Sequence, residues 1–115
     1  MKKLLTFGLL ALLFTACVSS SKSLYSWYDY QEQVSNYIKD ETPESREKLI
    51  KTYQHIIDKQ TGSRKAVPPG IYADYGFLLY QQGKKEEGIR FLEQEIALYP
   101  ESSVFISRVI KNLKK

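Results

Sequence analysis

Apolar and polar residues recur along this chain with a helical period, and no segment carries the sustained two-residue alternation of a half-buried strand. Leu24, Trp27, Tyr28, Val34, Tyr37 and Ile38 fall at steps of three and four, which predicts a first helix over 24–39 with Ser23 as its cap. Asp40-Glu41-Thr42-Pro43 interrupts the pattern. Thr42 is a good N-cap, Pro43 suits the first helical position, and Glu44 favours the positive end of the helix dipole. A second helix is therefore predicted to about Gln60, with Leu49, Ile50, Tyr53, Ile56 and Ile57 on its apolar face and Thr61-Gly62 as its stop. The basic loop from Ser63 to Val67 leads into Pro68-Pro69-Gly70 and a third helix over about 69–82, with Ile71, Tyr72, Tyr75, Leu78 and Leu79 inward. Gly83 ends it. A fourth helix is predicted over Lys84–Tyr99, with Ile89, Leu92, Ile96 and Tyr99 apolar and Pro100 as the stop. A fifth runs from Glu101 to Lys114, with Ile106, Val109, Ile110 and Leu113 at helical spacing and a basic last turn. The predicted fold class is all-α, with about five helices in a domain spanning 24–115.

The first residues follow a different logic. Met1-Lys2-Lys3 is a positive start, Leu4 to Phe14 is an apolar run, and Thr15-Ala16-Cys17 follows. That is the layout of a secretory signal, and the run is shorter than the ~20 apolar residues a spanning helix needs. The segment Phe14-Thr15-Ala16-Cys17 resembles the lipobox of bacterial lipoproteins, with Phe14 in place of the usual leucine. The resemblance implies removal of a signal helix over 1–16 and lipidation of Cys17 by diacylglycerol and a further acyl chain such as palmitate. Two or three acyl chains hold a protein firmly, at ~0.8 kcal/mol per buried CH₂. Val18 follows the cysteine where aspartate would retain a lipoprotein at the inner membrane. By the same resemblance the expected location is the outer membrane, facing the periplasm. A plain secreted protein with an incidental cysteine is the competing reading. Residues 17–23, the lipidated cysteine and a small polar stretch, read as a tether.

Processing changes the charge. Loss of Lys2 and Lys3 lowers Lys+Arg from 17 to 15 against 13 acidic residues, so net charge falls from +4 to +2. Neither that charge nor the expected compartment suits a nucleic-acid partner. Cys17 is the one cysteine, so no intramolecular disulfide forms.

Residues 69–102 have the length and punctuation of a tetratricopeptide repeat, a two-helix unit of about 34 residues. Tyr72, Tyr75, Gly76 and Leu79 stand at its first-helix positions, Gln82-Gly83-Lys84 at its turn, and Gly88, Leu92 and Pro100 at its second-helix positions. Glu95 stands where the repeat has alanine. The hairpin over 24–60 fits that pattern poorly and reads as a diverged unit, with the fifth helix as a cap. The first helix of each unit would put Ala73, Phe77 and Tyr80 on the concave side, with Tyr30 and Tyr37 adjoining. The aromatic residues Tyr25, Trp27, Tyr28, Tyr30 and Tyr37 admit two readings. They form a core stripe in a small domain, or they present a surface to a partner or the membrane interface. The candidate partner surface is Tyr25, Trp27, Tyr30, Tyr37, Phe77 and Tyr80.

Three segments carry a wider resemblance: Tyr25-Ser26-Trp27-Tyr28-Asp29-Tyr30, Lys65-Ala66-Val67-Pro68-Pro69-Gly70, and Leu92-Glu93-Gln94-Glu95 through Tyr99-Pro100-Glu101-Ser102. On these the mature chain resembles a family of small, uncharacterised bacterial lipoproteins with a tetratricopeptide-like domain. The resemblance implies a setting beside other lipoproteins, including ones similar to the curli secretion pore, and supplies no catalytic residues.

Chemistry for catalysis is sparse. His55 is the one histidine, which rules out a multi-histidine metal site, and it reads as structural. No glycine-rich phosphate loop is present. Glu86, Glu87, Glu93 and Glu95 read as ordinary charges on a solvated helix face. The expectation is a protein without enzymatic activity, cofactor or metal. It would be an outer-membrane-anchored adaptor that binds another envelope protein or lipoprotein during envelope assembly or secretion. The alternative is a structural envelope component that contacts membrane or cell wall directly, without a protein partner.

Overall fold

The computed structural model describes residues 23–115. The signal segment 1–16, Cys17 and the tether up to residue 22 lie outside the described residues. Five helices follow in order: α1 Tyr30–Lys39, α2 Pro43–Asp58, α3 Ile71–Gln81, α4 Lys85–Leu98 and α5 Ser103–Leu113, with a 3-10 turn at Pro100–Ser102 before the last. No strand occurs among the described residues, so the chain is all-helical there, as its periodicity predicts.

The first helix is shorter than its apolar spacing suggests. Residues 24–29 are not helical, and Tyr28 has a left-handed φ of 49°. Ser23 is no cap; its hydroxyl donates to the Tyr25 carbonyl. The aromatic spacing imitates a helix, but the backbone that carries these rings is held by the loop after α2, where Arg64 N–H donates to the Leu24 carbonyl and Gln60 brackets Ser26. Asp29 occupies the N-cap position of α1 but turns its carboxylate to α2, where it accepts from Thr52 at 2.9 Å.

The second helix starts as its sequence dictates. Thr42 accepts from the backbone N–H of Ser45 while Ser45 accepts from that of Thr42, a reciprocal capping box with Pro43 at the first position. Leu49, Tyr53 and Ile56 on α2 pack against Ile71, Tyr75, Leu78 and Leu79 on α3, and this is the main core. Tyr30, Val34 and Tyr37 of α1 cover one flank of it.

The α3–α4 hairpin closes through its glycines. A Cβ on Gly76 would fall 2.6 Å from the Gly88 carbonyl oxygen, and one on Gly88 would fall 2.5 Å from that of Gly76. The two backbones therefore touch, and the ~1 kcal/mol helical cost of a glycine is accepted for that approach. Gly83, at φ 89°, turns the chain between them. Ile106 is the buried residue of α5, and the Tyr80 hydroxyl donates to the Leu113 carbonyl at 2.6 Å, which ties the end of α5 back to α3.

Candidate functional site

A surface for binding has to be found among residues the fold does not consume, so the aromatic segment is best followed one side chain at a time. Tyr25 is half-buried, with its hydroxyl 3.5 Å from that of Tyr99. The backbone of Ser26 is held on both sides by the Gln60 amide, at 2.9 and 2.8 Å. The Ser26 hydroxyl sits 2.6 Å from that of Thr61. The Tyr28 ring stacks on His55 at 3.9 Å, and its hydroxyl donates to the Lys59 carbonyl. His55 is thus an exposed stacking partner, consistent with a structural role. Two backbone bonds complete the seam: Ser63 N–H to the Ser23 carbonyl at 2.9 Å and Arg64 N–H to the Leu24 carbonyl at 3.1 Å. Gly62 is required where it stands, because a Cβ there would meet the Leu24 carbonyl oxygen at 2.3 Å. It does not end α2 by a left-handed turn; it admits the entry segment. Residues 23–28 and 59–64 together form a clasp.

The hydrogen bonds of Asp29 and Tyr30 reach further. Burial alone would push the Asp29 carboxyl up, but donation from Thr52 and Gln33 outweighs it and holds the group below its ordinary value. The Tyr30 hydroxyl donates to Asp74 Oδ2 on α3 at 2.8 Å. Burial raises the Tyr30 phenol, and the Asp74 carboxylate raises it further. Asp74 is open to solvent at its edge yet crowded by neighbouring atoms. That crowding lifts its carboxyl above the ordinary value, and the Tyr30 hydrogen bond offsets part of the rise.

From Tyr30 a file of rings crosses the molecule: Trp27 to Tyr30 at 5.4 Å, Tyr30 to Tyr53 at 6.0 Å, Tyr53 to Tyr75 at 5.5 Å and Tyr75 to Phe91 at 4.7 Å. Both readings of the aromatic segment thus have a place in one structure. Tyr30 continues the core, whereas Trp27 begins the file at the surface, 39% exposed. Tyr37 is half-buried against the core, Phe77 is exposed on α3, and Tyr80 is half-buried with its hydroxyl engaged by α5.

Trp27, Tyr28 and Tyr30 meet Gln31, Val34, Ser35, Ile38 and Lys39 around an open, mainly apolar groove of about 680 Å³ along α1. Ile38, at its far end, is 71% exposed. The groove brings together Trp27 and Tyr30 of the expected surface. Tyr25, Tyr37, Phe77 and Tyr80 do not line it. Val34 and Ile38 do, and the signal for them was present in the sequence: Trp27, Tyr30 or Gln31, Val34 and Ile38 follow one helical stripe.

Glu95 corrects an expectation. It is not a solvated helix-surface charge but is 2% exposed. Its Oε1 accepts from the backbone N–H groups of Gly70 and Ala73, both at 3.1 Å. Gly70 has no side chain with which to cap α3, so α4 supplies the carboxylate that the helix N-terminus lacks. Tyr99 donates to the Val67 carbonyl at 2.6 Å, beside it. Burial raises the Tyr99 phenol, as does its contact with Tyr25. The Val-Pro-Pro-Gly segment and the Glu95–Tyr99 segment are therefore two halves of one latch between the start of α3 and the end of α4. Among the described residues no group of three His, Cys, Asp or Glu side chains is placed to hold a metal ion.

A family model described as Domain of unknown function (DUF4810) matches residues 24–109, from the clasp through most of α5. No curated protein and no solved structure matches the chain.

Proposed function

Because the chain belongs to this DUF4810 family, we propose a function on geometry alone: it is a lipid-anchored adaptor that holds an envelope protein in the groove along α1. The groove carries the reading. It is mainly apolar, open along its length and begins at an aromatic side chain. An amphipathic helix or extended segment of a partner suits such a surface, with Trp27 as the buried anchor. The protein would have no enzymatic activity of its own.

The lipobox-like Phe14-Thr15-Ala16-Cys17 supports lipidation of Cys17 and a place in the outer membrane, facing the periplasm. Anchoring would confine the groove near its partner and raise the effective concentration there. The glycine-to-glycine contact of α3 and α4, with Pro100 closing the unit, supports a tetratricopeptide-like hairpin over 69–102. Glu95 in place of alanine is accommodated by its capping of α3.

The test is photo-cross-linking in intact envelopes. A photoreactive residue at Ile38 is expected to capture one discrete protein, and the yield is expected to fall at least tenfold when Trp27→Ala is added. The same probe at Lys111, on α5, serves as the control. Equal labelling from both positions, or none from Ile38, rejects the groove as the partner surface. Mass spectrometry of the N-terminal peptide checks the anchor, with acylated Cys17 expected.

A further inference from the structure

We propose that the end of the molecule bearing Leu24, Lys59, Arg64 and Lys65 seats on an anionic phospholipid surface, so that the helices stand away from the bilayer. This inference rests on the lipid-anchor reading of Cys17 and adds an orientation to it. Chain length limits where the domain sits. From Cys17 to Ser23 the backbone spans six residue steps, which reach at most roughly 20 Å. The chain is then fixed at once, because the carbonyls of Ser23 and Leu24 are bonded to the N–H groups of Ser63 and Arg64. A lipid at Cys17 therefore keeps the 62–65 loop within roughly 20 Å of the headgroups, and the charge at that end decides whether it seats there.

Composition at that end favours the same placement. Lys59, Arg64 and Lys65 are exposed, and no acidic residue occurs between Asp58 and Asp74. Glu101 lies on the turn beyond Tyr99, which is bonded to Val67, and with Asp58 and Asp29, the residue after Tyr28, it supplies opposing charge nearby. Leu24 is 53% exposed, and the ring of Tyr28 is exposed behind it. An apolar side chain and aromatic ring framed by cations match a lipid headgroup boundary better than bulk water. Lys65 also holds a left-handed φ of 53°, a conformation glycine adopts at less cost. A lysine kept there places a cation at the loop tip.

The opposite end of the fold carries the α1–α2 linker and the α3–α4 turn, grouped by the shallow depression that Pro43, Arg46, Gln82 and Lys84 share. The 16 residues of α2 separate the two ends by about 24 Å. The groove along α1 then runs outward from the bilayer, from Trp27 to Ile38.

Spin-label accessibility tests this. Protein purified from envelopes with its lipid has Cys17 blocked, so Ser63→Cys or Glu41→Cys supplies a unique thiol for a nitroxide. Each labelled protein is reconstituted on vesicles of phosphatidylethanolamine and phosphatidylglycerol. The label at 63 is expected to be several-fold less accessible to an aqueous nickel chelate than the label at 41. The difference should vanish on vesicles lacking phosphatidylglycerol, and on raising the salt. It should also vanish in the K59Q/R64Q/K65G variant, since each cation is worth about fivefold in partition at such a surface. If that variant fails to fold, the lipid and salt series on the unaltered loop decides alone. Equal accessibility at both positions on vesicle-bound protein overturns the orientation and leaves the anchor intact. Protein that does not stay with the vesicles overturns both.

Discussion

A single carboxylate explains why two distant segments of this sequence belong together. Glu95 is buried with two backbone N–H groups as its partners, and removing it leaves both donors of α3 unpaired. Both donors are partly buried, so stranding the pair costs toward the low end of about 1–3 kcal/mol. Glu95→Ala is expected to lose at least that much in urea unfolding, while Glu95→Gln, which keeps an acceptor oxygen, recovers most of it. Two aspartates set opposite pH trends. Asp29 is held below its ordinary 3.8 by Thr52 and Gln33, against the pull of burial, so its contribution is complete above 3.8 and fades as pH falls through the lower folded value. Asp74 is raised, chiefly by burial, so its native form is favoured when protonated, and that advantage is lost as pH rises through the elevated value. Thermal melts should therefore show Asp74→Asn more stable than the parent at pH 7, with the gap closing below pH 3.8. Asp29→Asn should be less stable at pH 7 and converge with the parent in acid.

At the level of elements, the clasp is where sequence reading and structure part company. The start of α2 is legible because Thr42, Pro43 and Glu44 act locally, within one turn; the return bond from Ser45 is what the structure adds. The α3–α4 hairpin was legible because glycine, turn and proline fall at fixed offsets. The segment 24–29 was not, because its rings follow a helical period while its backbone answers to Gln60, Thr61 and Arg64, more than thirty residues away. Glu95 was misread for a related reason. Its neighbours Glu86, Glu87 and Glu93 suggest a charged face, yet Gly88, Leu92, Glu95 and Tyr99 lie on one stripe and point to burial. Trp27 and Tyr30 are two of the eight residues that line the groove; Val34 and Ile38 share the helical spacing of the first helix but stand outside the expected surface. The clasp predicts a local defect. Gly62→Ala forces the Leu24 carbonyl away, so amide exchange at Ser26, Ser63 and Arg64, whose N–H groups close the clasp, should quicken by orders of magnitude while that of α4 stays near the parent rate. Uniform acceleration across the chain would instead mark Gly62 as part of the global core.

For the molecule as a whole, the division of labour follows from where side chains are already engaged. The file of rings from Trp27 to Phe91 joins α1, α2, α3 and α4 into one body, and the latch at Glu95 and Tyr99 fixes the hairpin at its open end. The outer face of α1 and the cationic loop end are left unengaged, as are Phe77 on α3 and Val104 and Phe105 on α5, all exposed. No helix among the described residues is long and apolar enough to cross a membrane. The clasp has a mechanical meaning. Tension arriving from residues ahead of Ser23 is borne first by the pairs Ser23–Ser63 and Leu24–Arg64 and by the Gln60 bracket around Ser26, before any turn of α1 is strained. A tug on the N-terminal strand would thus unfasten this seam like a sacrificial link, lengthening the leash by several residues while the helical body stays whole.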